Sequence, residues 1–209
     1  VKRGRAHRPA GLRAEARRGL RITGGQRRGK KLFSVAGLAT RPTSARVRES
    51  IFGILAGRVQ DAAVLDLYAG TGILGMEALS RGARYSLFVD NAPAAVTVIQ
   101  KNLATCRFDS RAKVLRCDLE RNYHWLTPQP GYFSLVLMDP PYHRNLISGT
   151  LERLHASAAL APGAWIVAEH AATEPLALSV REIAVTDQRR YGKTLVSFLE
   201  YRKDGIGCP

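Results

Sequence analysis

The stretch DLYAGTGILG, residues 66–75, decides the fold. Val64 to Leu67 is a short apolar run that reads as a buried strand. Gly70-Thr71-Gly72-Ile73-Leu74-Gly75 fits G-x-G-x-x-G, a turn that carries a strand into a helix and turns backbone N–H groups toward a ligand. With Asp90 ending the next apolar run, the pattern also meets the dinucleotide fingerprint, so a nucleotide-dependent oxidoreductase stays a candidate. The position of Asp66 points elsewhere. In a dinucleotide fold the first glycine follows the strand almost at once, to face a pyrophosphate. Here an acid sits in the strand, before Gly70. That acid suits the amino group of an amino-acid-like cofactor and is poorly placed for a diphosphate.

Working outward, residues 58–209 alternate strand and helix. Strands are predicted at Val64–Leu67, Tyr85–Asp90, Lys113–Asp118, Phe133–Asp139 and Ala164–Glu169. Helices fall between them at Ile73–Arg81, Ala94–Ala104 and Ile147–Ala158, with a short one expected at Leu119–Leu126. Short turns and this repeat imply α/β architecture, a mostly parallel sheet covered on both faces. The end departs from it. Glu182–Gln188 and Thr194–Tyr201 are two strands joined at Tyr191-Gly192-Lys193, which requires an antiparallel pair. Leu195-Val196 and Phe198-Leu199 are too apolar for an edge, so the last strand is placed inside the sheet. Trp125 and Trp165 read as packing residues.

Asp66, Asp90, Asp118 and Asp139 all fall at or near strand carboxyl ends, where ligands bind in such sheets. Asp90 can accept both hydroxyls of a ribose, and Asp118 the amine of an adenine. Each alone could instead cap the helix that follows, and for Asp118 that reading weighs nearly as much; four together point to a site. After the fourth strand comes DPPY, residues 139–142. Proline has no N–H, and an ionised carboxylate only accepts. Asp139 and the Pro140 carbonyl therefore form two acceptors beside the flat face of Tyr142. That combination suits a planar group bearing an NH2, such as a nucleobase amine. It is also common turn punctuation. His143 and Arg144 follow directly and read as loop polarity.

The net charge of +15 is unevenly placed. Residues 1–60 hold 16 Lys and Arg against Glu15 and Glu49, while the rest is close to neutral. Residues 1–19 read as a basic tail. Residues 20–57 read as a basic extension, a hairpin at 20–33 followed by an amphipathic helix within 41–57. Thr43 and Ser44 are cap candidates for that helix, and Val47, Ile51, Ile54 and Leu55 form its buried stripe. Arg27, Arg28, Lys30 and Lys31 on the hairpin, with Arg46 and Arg48 on other faces of the helix, are candidate phosphate contacts. Three cysteines without ligand spacing and five scattered histidines give no disulfide framework and no metal site. No apolar run reaches the roughly 20 residues that span a bilayer. A cytoplasmic protein is expected.

The sequence resembles the class I S-adenosylmethionine-dependent methyltransferases. It is most similar to the RsmD family, over about residues 20–202. The resemblance rests on RITGGQRRGKKL at 21–32, RPTSARVRESIFGIL at 41–55, DLYAGTGILGMEALSRGA at 66–83, Asp90 with Lys101-Asn102-Leu103, and DPPY at 139–142. It departs at Ala45, where the family usually has Asp. It implies a Rossmann-like sheet of seven strands and methylation of a guanine N2 amine in small-subunit (16S) ribosomal RNA. The partner would be that RNA or a small-subunit assembly particle, and the enzyme a monomer without metal. It further implies that Asp66, Tyr68, Gly70, Gly72, Asp90, Asn91, Asp118 and Leu119 hold S-adenosylmethionine, with Asp139, Pro140 and Tyr142 at the reacting amine. DPPY by itself would also suit an amino-methyltransferase acting on adenine or cytosine in RNA or DNA.

Overall fold

The computed structural model describes residues 20–35, 43–121 and 131–203. Strands β1 (Ala63–Leu67), β2 (Tyr85–Asp90), β3 (Ala112–Arg116), β4 (Phe133–Met138), β5 (Leu160–Ala171), β6 (Ile183–Tyr191) and β7 (Thr194–Tyr201) form one sheet in the order β3-β2-β1-β4-β5-β7-β6. The first five run parallel, and β7 is antiparallel to both β5 and β6. β7 lies between them because Val196, Phe198 and Leu199 would otherwise face water on an edge.

Helices cover both faces, and side-chain alternation along each strand sorts the core. Val64, Phe88, Leu135 and Leu137 pack with α1 (Ala45–Ile54), α3 (Ile73–Ser80) and α4 (Pro93–Cys106). Leu65, Leu67, Val136 and Met138 pack with α5 (Leu146–Ala156) on the other face. A short α2 (Ala56–Val59) continues from α1. The order of the strands, not their direction, reverses between β1 and β4, so a crevice opens at their carboxyl ends. No helix among the described residues is long and apolar enough to cross a membrane.

Several expected boundaries move. β3 ends at Arg116 because the Asp118 carboxylate accepts from the Glu120 N–H and turns the chain. The helix expected at Leu119–Leu126 lies largely outside the described residues, and Trp125 entirely so. α4 runs on to Cys106 and stops where Arg107 adopts φ 58°. β5 begins at Leu160, paired with Phe133, and recovers its register at Trp165 after the exposed Pro162 and Gly163.

The basic extension is built into the same core. Arg21 and Lys31 form an antiparallel bridge around the turn Gly25–Arg27. Leu20, Ile22 and Leu32 of this hairpin are buried with Val47, Ile51, Phe52 and Leu55 of the α1 segment. Ser44 caps α1 by accepting from the Val47 N–H, and Ala45 is exposed at its first position.

Arg48 corrects the sequence reading. It is not on an outer face of the helix but 2% exposed, so it is closed to phosphate. The buried face of α1 is wider than the apolar stripe, and Arg48 fills it. Its guanidinium donates to the carbonyls of Thr43 and Arg21 and lies 4.0 Å from Glu77, itself fully buried. Glu77 also accepts from Thr23 and pairs with Arg81 at 2.9 Å. This cluster joins hairpin, α1 and α3. Arg48→Ala should therefore destabilise the fold by about 3 kcal/mol, the usual scale for removing one partner of a buried ionic group. Urea unfolding should show a lower midpoint at unchanged slope.

Candidate active site

The crevice at β1 and β4 is a cleft of about 790 Å³. Its floor is the loop between β1 and α3. Tyr68, Gly70 and Gly72 there have φ 57°, 55° and 74°. Left-handed backbone at Tyr68 is strained, and its hydroxyl is tied to Thr150 Oγ1 at 2.9 Å. A side chain at Gly72 would be strained by its φ and would crowd Ile99 and Phe88, which a Cβ would meet at 3.2 and 3.3 Å. Gly75 is needed for close approach, since a Cβ would lie 2.4 Å from the Phe88 ring. The third glycine of the motif thus serves helix-on-strand packing.

Asp66 is 1% exposed and accepts from the Gly75 N–H at 2.9 Å. Burial raises its pKa to about 8, the Gly75 bond pulls it down in part, and the nearby Asp90 adds to the rise. Among the described residues no cation offsets this buried acid, which fits it to an incoming ammonium. Asp90 accepts from the Gly70 N–H at 2.8 Å through one oxygen and from the Ala92 N–H at 2.9 Å through the other. Each oxygen keeps a lone pair for a ribose hydroxyl. Asn91, Asp118 and Leu119 continue the wall. Asp118 spends one oxygen on its turn and lies 3.6 Å from Arg121.

Across the cleft, Asp139, Pro140 and Tyr142 follow β4. Tyr142 remains 36% exposed, and its hydroxyl donates to Glu169 Oε1 at 3.0 Å and lies 3.1 Å from Thr194. Glu174 accepts from the His143 and Asn145 N–H groups at 2.8 and 2.7 Å and pins the loop beyond Tyr142. Those bonds, with the nearby His143 and His170, hold Glu174 below its ordinary pKa despite some desolvation.

Two further residues reach this end, and sequence reasoning passed over both. Thr43 Oγ1 lies 3.1 Å from Asp139 Oδ2 and 2.9 Å from Glu169 Oε2. Burial and mutual repulsion raise Asp139 well above the usual carboxylate range, and burial raises Glu169. The available signal for Glu169 was an acid inside the apolar run WIVAEHA. Thr43 was read only as a helix cap, a role that Ser44 takes.

The basic candidates divide. Arg46 is exposed at the start of α1, beside the cleft-lining Ser44 and Val47. Arg28, Lys30 and Lys31 are exposed on the hairpin. The hairpin tip, however, sits at the carboxyl ends of α3 and α4, where Arg27 N–H reaches Ser80 and Arg27 Nε reaches the Cys106 carbonyl. The cleft lies at the opposite ends of those helices, so α3, about 12 Å long at 1.5 Å per residue, separates the tip from it. Arg27 is half-buried and also lies 5.8 Å over the Phe108 ring. The far strand of the hairpin leads back to the cleft, where Ser34 and Val35 line it.

A parallel sheet of this order, with an antiparallel β7 and acids at the ends of β1 and β2, defines a Rossmann-like, class I S-adenosylmethionine-dependent methyltransferase. Residues 20–200 match the family described as conserved hypothetical protein 95, the RsmD family, and the chain belongs to it. YlbH of Bacillus subtilis, described as a candidate rRNA methyltransferase, is 36% identical over 89% of this chain and 100% of its own length. Ribosomal RNA small subunit methyltransferase D of Escherichia coli K12 is 37% identical over 72% of this chain and 74% of its own. The solved structure of the Escherichia coli methyltransferase candidate yhhF superposes with a TM-score of 0.77 at 31% identity, covering 88% of this chain and 98% of that one. An RNA methyltransferase from Salinibacter ruber, solved with S-adenosyl-L-homocysteine, shares the fold alone at 15% identity and TM-score 0.60, covering 80% and 98% of the two chains. This membership sets the oxidoreductase reading aside.

Asp66 gives a test with opposed outcomes. Its carboxyl ordinarily titrates near 3.8 and in the fold near 8, so its contribution to stability is full below the lower value and lost as pH rises through the upper one. Asp66→Asn does not titrate and keeps an acceptor for Gly75. At pH 8 it should melt above the wild type without ligand, while its affinity for S-adenosylhomocysteine falls about 10- to 100-fold, the worth of one charge-assisted hydrogen bond. Wild-type affinity should climb with pH toward about 8, as Asp66 ionises. Differential scanning calorimetry and titration calorimetry check both.

Proposed function

We propose that this chain transfers a methyl group from S-adenosylmethionine to the exocyclic N2 amine of a guanine in 16S ribosomal RNA. One observation supports this most strongly. The acceptors of DPPY and the ring of Tyr142 share one cleft with the buried Asp66. The name of the Escherichia coli relative supports small-subunit RNA as the substrate. The partner is that RNA, free or in an assembly particle, met in the cytoplasm by a monomer.

The bound cofactor supplies an activated methyl on a sulfonium. Asp66 holds its ammonium, Asp90 the ribose hydroxyls, and Asp118 and Leu119 border the adenine, with Tyr68, Gly70, Gly72 and Asn91 shaping the same wall. Asp139 and the Pro140 carbonyl accept the two hydrogens of the guanine amine. That draws the nitrogen lone pair out of conjugation and aims it into the cleft, so alignment does most of the work. Tyr142 stacks on the base, at about 1–3 kcal/mol for such a contact. A base within folded RNA must be extruded to arrive there. Residues 20–57 act as the RNA-contacting extension through Arg28, Lys30, Lys31 and Arg46. Arg27 contributes less, being engaged with Cys106 and Phe108.

Asp139→Ala should lower single-turnover methylation about 100- to 1000-fold, the scale for losing one preorganised polar contact to the reacting group. The substrate is small subunits from cells lacking this gene, and S-adenosylhomocysteine should still bind. Methylated product at near wild-type rate, or label found on adenine or cytosine by mass spectrometry, sinks the proposal.

Deleting the hairpin would remove Leu20, Ile22 and Leu32 from the core, so charge is better tested in place. Arg28, Lys30 and Lys31 changed together to Gln should weaken RNA binding. The slope of log affinity against log salt should fall by about 2, at about 0.7 per phosphate contact on single strands. An unchanged slope in filter-binding titrations would show those charges merely solvated.

A further inference from the structure

Hydrogen counting constrains the pair formed by Asp139 and Glu169. The Thr43 hydroxyl lies within hydrogen-bond distance of both, at 3.1 and 2.9 Å. A hydroxyl has one hydrogen to give and can accept others. If Thr43 donates to Asp139, its contact with Glu169 holds only when Glu169 donates an O–H to Thr43. If Thr43 donates to Glu169, Asp139 must be the acid. Both contacts are made at once only when the pair carries at least one proton. Tyr142 donates to the other oxygen of Glu169 in either case, and Thr194 backs Tyr142. Of the two arrangements, one leaves Asp139 acceptor-only. In it the donors run in one direction, Tyr142 to Glu169 to Thr43 to Asp139.

We propose that Glu169 is a positioning residue that, through Thr43, holds the proton of the pair and so keeps Asp139 ionised while Asp139 accepts the substrate amine. The inference rests on the role given to Asp139 above. Docking of the amine selects the arrangement, because an ionised Asp139 is the stronger acceptor: in the other arrangement its proton points at Thr43 from Oδ2 and leaves the amine only a neutral carbonyl oxygen. When the methylated nitrogen later gives up a proton, its N–H bond breaks and an O–H bond forms on Asp139. The pair then carries two protons and returns one to water in the open cleft. The same carboxyl fixes Tyr142 through its hydroxyl, so one residue sets both the acceptor and the stacking ring.

The surroundings are consistent with a shared proton. Asp66 on β1 faces Asp139 and raises it further, after burial and Glu169. His170 on β5 lies near Glu169 and lowers it, after its bonds to Thr43 and Tyr142. Arg48 on α1 reaches the Thr43 carbonyl, and Tyr191 of β6 lines the same cleft.

Two substitutions should move Asp139 in opposite directions. Glu169→Gln cannot take up the charge that Glu169 acquires when the shared proton leaves it, so Asp139 ionises at lower pH. Thr43→Val removes the hydrogen bond that favours the ionised form, so Asp139 ionises at higher pH. Thr43→Ser keeps the hydroxyl and should titrate as the wild type. The direct readout is the carboxyl carbon resonance of Asp139 in protein labelled at Asp, assigned by its loss in Asp139→Asn and followed against pH without substrate. Shifts of at least one pH unit, down for Glu169→Gln and up for Thr43→Val, are expected. The acid limb of single-turnover methylation on small subunits should move with them, while affinity for S-adenosylhomocysteine at pH 8 holds. An Asp139 titration that neither variant moves, or that both move the same way, overturns the proposal. So does a Thr43→Ser profile resembling Thr43→Val. A variant that fails to bind S-adenosylhomocysteine is replaced in the comparison by Glu169→Asp, which must then retain the wild-type direction of coupling. If Asp139→Ala still methylates, the reading of the site itself fails, whatever the resonance shows.

Discussion

The constraint on which this structure turns is the burial of negative charge at the carboxyl edge of one sheet. Asp66, Asp139 and Glu169 are withdrawn from water, and desolvation raises all three. Without ligand the fold tolerates them by binding protons and by spending backbone N–H groups and hydroxyls on them. A cationic cofactor and an amine substrate are the groups that would relieve the strain. The site is thus expensive to fold and well matched to what enters it, the usual relation between stability and function in preorganised sites.

The rigidity needed to hold these acids comes from elsewhere in the chain. Asp66 is fixed because Gly75 lets α3 lie against Phe88, which brings its N–H to the carboxylate. α3 in turn is clamped from behind by Arg48, Glu77, Arg81 and Thr23. The basic extension therefore does structural work at its inner face while its outer face carries free charge. A single arginine-rich segment serves both because the helix α1 has two sides and only one of them meets the sheet.

Much of this was legible in the sequence. Strand and helix alternation, the inward β7, the glycine loop and the acids at strand ends all follow from local pattern, since period and turn chemistry report on backbone. Arg48 did not follow, because a charged residue beside an apolar stripe reads as solvated unless its buried partner, Glu77, is known to face it. Glu169 and Thr43 did not follow either. Their significance lies in a meeting across 126 positions of chain, and no local pattern encodes such a distance. The hairpin charges were found, but their distance from the cleft was not, because it depends on which end of α3 the turn meets.

The placing of β7 between β5 and β6 has a consequence for the order in which the molecule can be made. β6 leaves the ribosome first, yet among the described residues it pairs as a strand with β7 alone. Until residues 194–201 emerge, β5 presents an open flank, and Glu169 sits on that flank. Thr194, which backs Tyr142, arrives with the same strand. The contacts of Glu169 and Tyr142 with β7 are therefore made last, in one step with the closing of the hairpin.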